Sequence, residues 1–392
     1  MADWLAWQET LHPKNIDLGL DRVRRVAERL GLPDPRPRTL TVGGTNGKGS
    51  SATLAALIYR EAGYHVGLYT SPHLHRYNER VAIDGVAASD DDFCRAFEAI
   101  DAARADVSLT YFEFGTLAAL WLFREARVDV QVLEVGLGGR LDAVNIVDAD
   151  CALITNVGLD HTDYLGPDRE SIGREKAGIL RRGRPAVYVE ASPPASVLRA
   201  AADLDVPLKI LDRDFSAAEV RRGLPQPGLA GAAQLRNAAG VITCIDALRA
   251  ILPVPTSAIR DALPKLSLPG RFERRGDLVL DVAHNVEAAQ VLVENLRAES
   301  MQGRIHLVLG MLRDKPVESF CRTLQPIVAS ASFATLPPPR GLGADELAQR
   351  AGMAGDRFGS VAEALAHARS SVRNGDRVLI TGSFLTVAAA GA

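Results

Sequence analysis

The chain is poor in the residues that mark extracellular or membrane proteins. Its four cysteines, Cys94, Cys151, Cys244 and Cys321, lie far apart, and none belongs to a C-x-x-C pair. That spacing suggests neither zinc ligation nor a disulfide framework, and buried free thiols in a reducing compartment are expected. No apolar run reaches the roughly 18 residues a membrane helix needs. The first residues, Met1-Ala-Asp-Trp-Leu-Ala-Trp, lack a basic stretch followed by an apolar core, so a secretory signal is not expected. A net charge of only −3 exerts no strong pull toward nucleic acid or an anionic membrane. There is no internal repeat and no Asn-Lys-x-Asp guanine motif. These absences favour the cytosol.

What is present is an alternating pattern. The 392 residues suffice for two or three domains. Helical spacing of apolar residues runs over 15–31, with Gly31 as a stop. The strand Thr39–Val42 follows, then a glycine-rich turn and a helix from Ser51 to Ala62. Further strands are expected at His65–Tyr69, Val128–Glu134, Cys151–Thr155 and Ala186–Glu190. Helices are expected at Asp91–Arg104, Phe114–Ala126, Arg169–Leu180 and Gln234–Ala250. Such alternation predicts an α/β fold with a mainly parallel sheet. Pro269-Gly270 interrupts both periods and suits a linker. A second βαβ pattern follows it, with strands at Leu278–Val282, Ile305–Gly310 and Arg377–Thr381, and helices at Val286–Arg297 and Val361–Val372. The expected domains are therefore 1–268 and 271–392.

Chemistry concentrates where strands end. Gly43-Gly44-Thr45-Asn46-Gly47-Lys48-Gly49-Ser50 joins a strand to a helix. Glycines let the backbone approach an anion, N–H groups and the helix start face it, and Lys48 neutralises outer phosphates. Strict phosphate loops place Ser or Thr directly after the lysine; here Gly49 intervenes before Ser50. Ser71-Pro72-His73-Leu74 follows the next strand, at the edge where α/β sheets bind ligands. Glu134 ends another strand and is followed by Gly136, Gly138 and Gly139. A carboxylate at such a tip suits Mg²⁺, which takes one or two carboxylates plus phosphate oxygens and water. His161 sits between Asp160 and Asp163 after a further strand, and convergence of these strand ends favours a metal site. Lys176 by itself reads as a solvated helix lysine. Thr110-Tyr111-Phe112-Glu113-Phe114 offers either a core cluster or aromatic faces for a flat ring.

The variant Gly-Thr-Asn-Gly-Lys resembles the ATP loop of the Mur ligase superfamily, and Gly-Lys-Gly-Ser its folate branch. Ser-Pro-His-Leu with the nearby Glu79-Arg80 is similar to a folate-ligase signature. The ordered resemblance runs from Leu11-His12-Pro13 to Val387, and the family is bacterial dihydrofolate synthase/folylpolyglutamate synthase. The resemblance implies an N-terminal phosphate-loop ATPase domain, a smaller Rossmann-like C-terminal domain and a site in the cleft between them. It implies ATP contacts from Gly44 to Ser50, Asn237, Arg271, Asp281 and His284. It implies Mg²⁺, in two sites, held by Ser71 and Glu134 and by His161 with Lys176 carrying a carbamate. Lys48, His161 and Lys176 are the implied catalytic residues, and Thr110, Phe112, Asp142 and Ala143 the pterin contacts.

The implied reaction joins L-glutamate to dihydropteroate and to reduced folates through an acyl phosphate, in a monomer, without nucleic-acid or membrane partners. Two residues depart from the family pattern. Val286 stands at a usual proline, which matters little at a helix start. Leu385 replaces a usual histidine and bears on the second glutamylation. A single-activity enzyme, a peptidoglycan Mur ligase, a nucleotide switch and an inactive ligase remain alternatives. The short stretch before residue 43 counts against the peptidoglycan ligase.

Overall fold

The computed structural model describes residues 1–299 and 303–391. Two compact units emerge, one of 1–228 with 234–266, the other of 229–233 with 267–391.

The first unit is built on eight strands: β1 (Arg38–Gly43), β2 (Val66–Tyr69), β3 (Val81–Ile83), β4 (Val86–Ala87), β5 (Val130–Glu134), β6 (Cys151–Ile154), β7 (Ala186–Tyr188) and β8 (Leu208–Ile210). Their order is β4-β3-β2-β5-β1-β6-β7-β8. From β2 to β8 all neighbours are parallel, and β3 and β4 add an antiparallel edge. The β5 and β6 strands are buried at every position, as expected where helices cover both faces of a parallel sheet. One core gathers Phe93, Phe97, Phe114 and Phe123 beneath the helices Asp90–Arg104 and Tyr111–Ala126. Gly67 on β2 belongs to that packing: a Cβ there would lie 2.5 Å from the Phe123 ring.

Register places the site. Val42 of β1 stands beside Glu134 of β5, and Gly43 beside Ile154 of β6. Tyr69 of β2 stands beside Leu133. The carboxyl ends of four neighbouring strands are therefore level, on both sides of β1. Ligands of open α/β sheets bind in such a crevice.

The second unit carries β9 (Glu273–Arg275), β10 (Leu278–Leu280), β11 (Ile305–Leu309), β12 (Val328–Ala334), β13 (Asp356–Phe358) and β14 (Arg377–Thr381). The order is β13-β12-β11-β14-β10-β9, parallel except for β9. Its core holds Leu307, Leu309, Phe320, Phe333 and Leu379. The expected α/β class is the observed one. No helix of the described residues is long and apolar enough to cross a membrane.

One expected helix is shorter than its apolar pattern. The helix forms only over Asp21–Arg29, not 15–31. Arg22 explains the difference. Its guanidinium donates to the Asp17 carbonyl at 2.6 Å and pairs with the Asp17 carboxylate at 2.7 Å, holding the preceding segment as a loop. Ile16 accordingly stays 36% exposed. The helix Ala2–Leu11 and the strand β12 were not anticipated from the sequence pattern. Trp7 anchors that helix with an edge-on contact to Phe114, centroids 5.9 Å apart.

Candidate active site

The turn after β1 owes its shape to two glycines. Gly44 has φ +142°, and a Cβ there would lie 1.8 Å from Thr155 Oγ1. Gly47 has φ +81° and precedes the helix Lys48–Glu61. The turn is bracketed from β6. The Asn156 Oδ1 accepts from the Thr45 and Asn46 N–H groups at 3.1 and 2.8 Å. The Thr155 hydroxyl donates to the Asn46 carbonyl at 2.7 Å. Thr45 Oγ1 and Gly158 exchange bonds of 3.2 and 3.0 Å. The loop is thus fixed before any ligand arrives, which lowers the ordering cost of binding. Lys48 Nζ donates to the Thr45 carbonyl at 3.2 Å, and Gly49 and Ser50 lie buried in the first helical turn. Asn237 reaches the same loop: a Cβ on Gly47 would lie 2.8 Å from its Nδ2.

Around this loop stand the other strand-end residues. Glu134 is 4% exposed, and its Oε2 accepts from the Ser71 N–H at 3.0 Å. Lys176, on the helix Arg169–Ala177, is not a solvated lysine. It is 3% exposed, and its Nζ donates to the Gly44 carbonyl at 2.8 Å. Burial, seconded by the charge of Lys48, lowers its pKa from 10.5 to about 7. Burial thus brings the neutral amine within reach near neutral pH. His161 adopts left-handed backbone, φ 52°, and its Nε2 lies 4.0 Å from Asp160 Oδ1. Among the described residues, no three His, Cys, Asp or Glu side chains gather into a metal cage. A buried carboxylate beside this loop fits a hard cation that takes its remaining oxygens from phosphate and water.

Beyond Glu134 the chain forms a wall. Phe112 packs on Gly136, where a Cβ would come within 2.5 Å of its ring, and lies 6.1 Å from the Tyr69 ring. Thr110 and Glu113 form a reciprocal cap: the Thr110 N–H donates to Glu113 at 2.8 Å and the Glu113 N–H to Thr110 Oγ1 at 3.2 Å. Asp142 is occupied locally, its carboxylate accepting from Leu137 and Val144 N–H groups at 2.8 and 3.0 Å. Burial pushes its pKa up to about 6. Ala143 is buried at the start of the short 3₁₀ turn Ala143–Ile146.

The remaining candidates belong to the second unit. Asp281 follows β10, and its oxygens accept from the Phe272 and Ala283 N–H groups, each at 2.8 Å. Burial raises its pKa. Arg271 lies with Cζ 4.9 Å from the Phe384 ring centre, and His284 Nδ1 is bonded to the Val282 carbonyl at 2.8 Å. Leu385 is 46% exposed just past Ser383. Sequence reasoning gave no role to Thr155 and Asn156. The only available signal was their place directly after an apolar strand.

A Mur ligase middle domain matches residues 42–203, and a Mur ligase glutamate ligase domain matches residues 270–384. The chain is 45% identical to the dihydrofolate synthase/folylpolyglutamate synthase of Escherichia coli strain K12, over 99% of this chain and 94% of that one. The Haemophilus influenzae protein of the same name is 39% identical, over 99% and 96%. Among solved structures, E. coli FolC in complex with DHPP and ADP superimposes with TM-score 0.93 at 44% identity, covering 99% of this chain and 95% of that one. The bifunctional Yersinia pestis enzyme complexed with AMPPNP and Mn ion gives TM-score 0.92 at 45% identity, covering 99% and 96%. Full-length identity at this level, joined to both domain matches, means that the chain belongs to the dihydrofolate synthase/folylpolyglutamate synthase family of Mur ligases.

Proposed function

We propose that the chain is an ATP-dependent amide ligase that joins L-glutamate to dihydropteroate and, in a second activity, to reduced folates. The observation that carries this reading is the buried Lys176 bonded to the Gly44 carbonyl, two residues past the Val42 that pairs with Glu134. In the proposed reaction the substrate carboxylate attacks the γ-phosphate of ATP, releasing ADP and leaving an acyl phosphate. The α-amine of glutamate then displaces phosphate. The Gly44–Ser50 backbone cradles the phosphates, and Lys48 stabilises charge on the transferring group. Phe112 and the 110–143 wall orient the pterin, with Asp142 and Ala143 at its edge. Asn237 and, from residues 271–392, Arg271, Asp281 and His284 serve the nucleotide.

Ser71 and Glu134 would hold one Mg²⁺, and His161 with carbamylated Lys176 a second; bound there, the ions would offset phosphate charge. The carbamate is the natural product of a neutral buried amine and CO₂, and it turns a cation into an oxygen ligand. Residues 1–268 act as the ATP-binding domain and 271–392 as the ligase domain, in a cytoplasmic monomer. The test supplies ATP, Mg²⁺ and L-glutamate with dihydropteroate in one tube and a reduced monoglutamyl folate in another. Amide product with equimolar ADP in both is expected. ADP without amide, or neither, contradicts the reading.

A further inference from the structure

The guanidinium of Arg80 is a buried cation that the proposed reaction leaves unused. Arg80 is 9% exposed. Its Nε donates to His73 Nδ1 at 2.9 Å. Its Cζ lies 5.2 Å from the Tyr77 ring centre and 5.5 Å from that of Tyr111. Among the described residues no carboxylate pairs with it. The adjacent Glu79 is engaged elsewhere, accepting from the Leu74, His75 and Arg76 N–H groups at 2.7, 2.9 and 2.7 Å. Burying a cation without a counter-charge is costly, and aromatic faces offset only part of that cost. The Tyr77 hydroxyl is likewise buried without a hydrogen-bond partner among the described residues.

Position gives this cation a use. The Arg80 carbonyl accepts from the Thr70 N–H at 2.9 Å, one residue before Ser71. Tyr111 directly precedes Phe112. Arg80 therefore sits between the strand end that carries Ser71 and the helix start that carries Phe112. The two substrates of the ligase reading differ in one respect that a guanidinium reads well. Dihydropteroate bears only the carboxylate to be activated. A glutamylated folate bears a second, the α-carboxylate, separated from its reacting γ-carboxyl by the α-carbon and two methylenes.

We propose that Arg80 receives the α-carboxylate of the terminal glutamate of a glutamylated folate, and so selects for the second substrate class. The planar fork of arginine matches a carboxylate in a way lysine does not. The assignment rests on the ligase reading for its substrates.

The test is equilibrium binding to the full chain of two ligands that share one pterin, tetrahydropteroate and tetrahydropteroyl-monoglutamate. Wild type, Arg80→Lys and Arg80→Met are compared, with circular dichroism melts to verify folding. Arg80→Met is expected to weaken the monoglutamate about tenfold or more and tetrahydropteroate less than about twofold, with Arg80→Lys between. A ligand-side arm needs no variant: the α-carboxamide analogue of the monoglutamate should bind wild type about tenfold more weakly than the parent. Parallel weakening of both pterins in Arg80→Met, or an α-carboxamide that binds as well as the parent, overturns the inference. Failure of the ligase reading is seen separately, as wild-type protein that shows the binding contrast yet forms no amide.

Discussion

At the residue scale, Lys176 separates stability from function. Its folded pKa of about 7 lies below the ordinary 10.5, so the unfolded chain binds more protons between those values. Stability from this group therefore rises with pH across that window and is lowest below it. Lys176→Met removes the buried ammonium. It is expected to melt no lower than wild type at pH 7, with its advantage shrinking as pH climbs toward 10.5. Ligase turnover in the same variant should fall by at least about a hundredfold, as when a group acting in the transition state is lost. A carbamate on the wild type should appear as a ¹³C resonance after equilibration with ¹³C-bicarbonate, growing as pH passes 7 and missing from Lys176→Met. Gly44 makes a second case. Gly44→Ala puts a methyl into Thr155 at a φ of +142°, and a loss of about 1–3 kcal/mol from backbone strain is expected, with nucleotide affinity lost too. Calorimetric melts and nucleotide titration measure both.

At the level of elements, the start of the helix Tyr111–Ala126 couples folding to substrate binding. Thr110 caps the helix that carries Phe112. Thr110→Val is expected to cost about 1 kcal/mol of stability, read by denaturant titration, and to raise the KM for dihydropteroate more than it lowers kcat. Elements of this kind were legible where local rules act alone. The helices expected from Asp91 and Phe114 form, starting at Asp90 and Tyr111, and the buried strands β1, β5 and β6 follow from their apolar runs. The helix expected over 15–31 starts only at Asp21, because periodicity carries no sign of the Arg22–Asp17 contact that holds the preceding segment as a loop. Lys176 shows the opposite limit. Its helix was evident from the sequence, but its burial depends on where that helix docks, and local composition argues for solvent. Thr155 and Asn156 were equally hidden, since their partners lie about a hundred residues away in the chain.

For the whole molecule, the ordered strand-end motifs made the α/β class and the family legible without coordinates, because a parallel sheet gathers strand ends at one edge wherever they fall in the chain. Residue contacts of the distant kind were not. Leu385 is the departure with the clearest consequence at this scale. If the family histidine at this place serves the second glutamylation, Leu385→His should raise folate glutamylation several-fold and leave dihydrofolate synthesis unchanged. The most direct measurement remains the paired assay on wild-type protein, with products identified by mass and ADP counted beside them. Glutamyl amide from dihydropteroate and from the reduced monoglutamyl folate, one ADP for each, is the expected result. Nucleotide that binds but yields no amide from either pterin would contradict the assignment of this chain as a folate ligase.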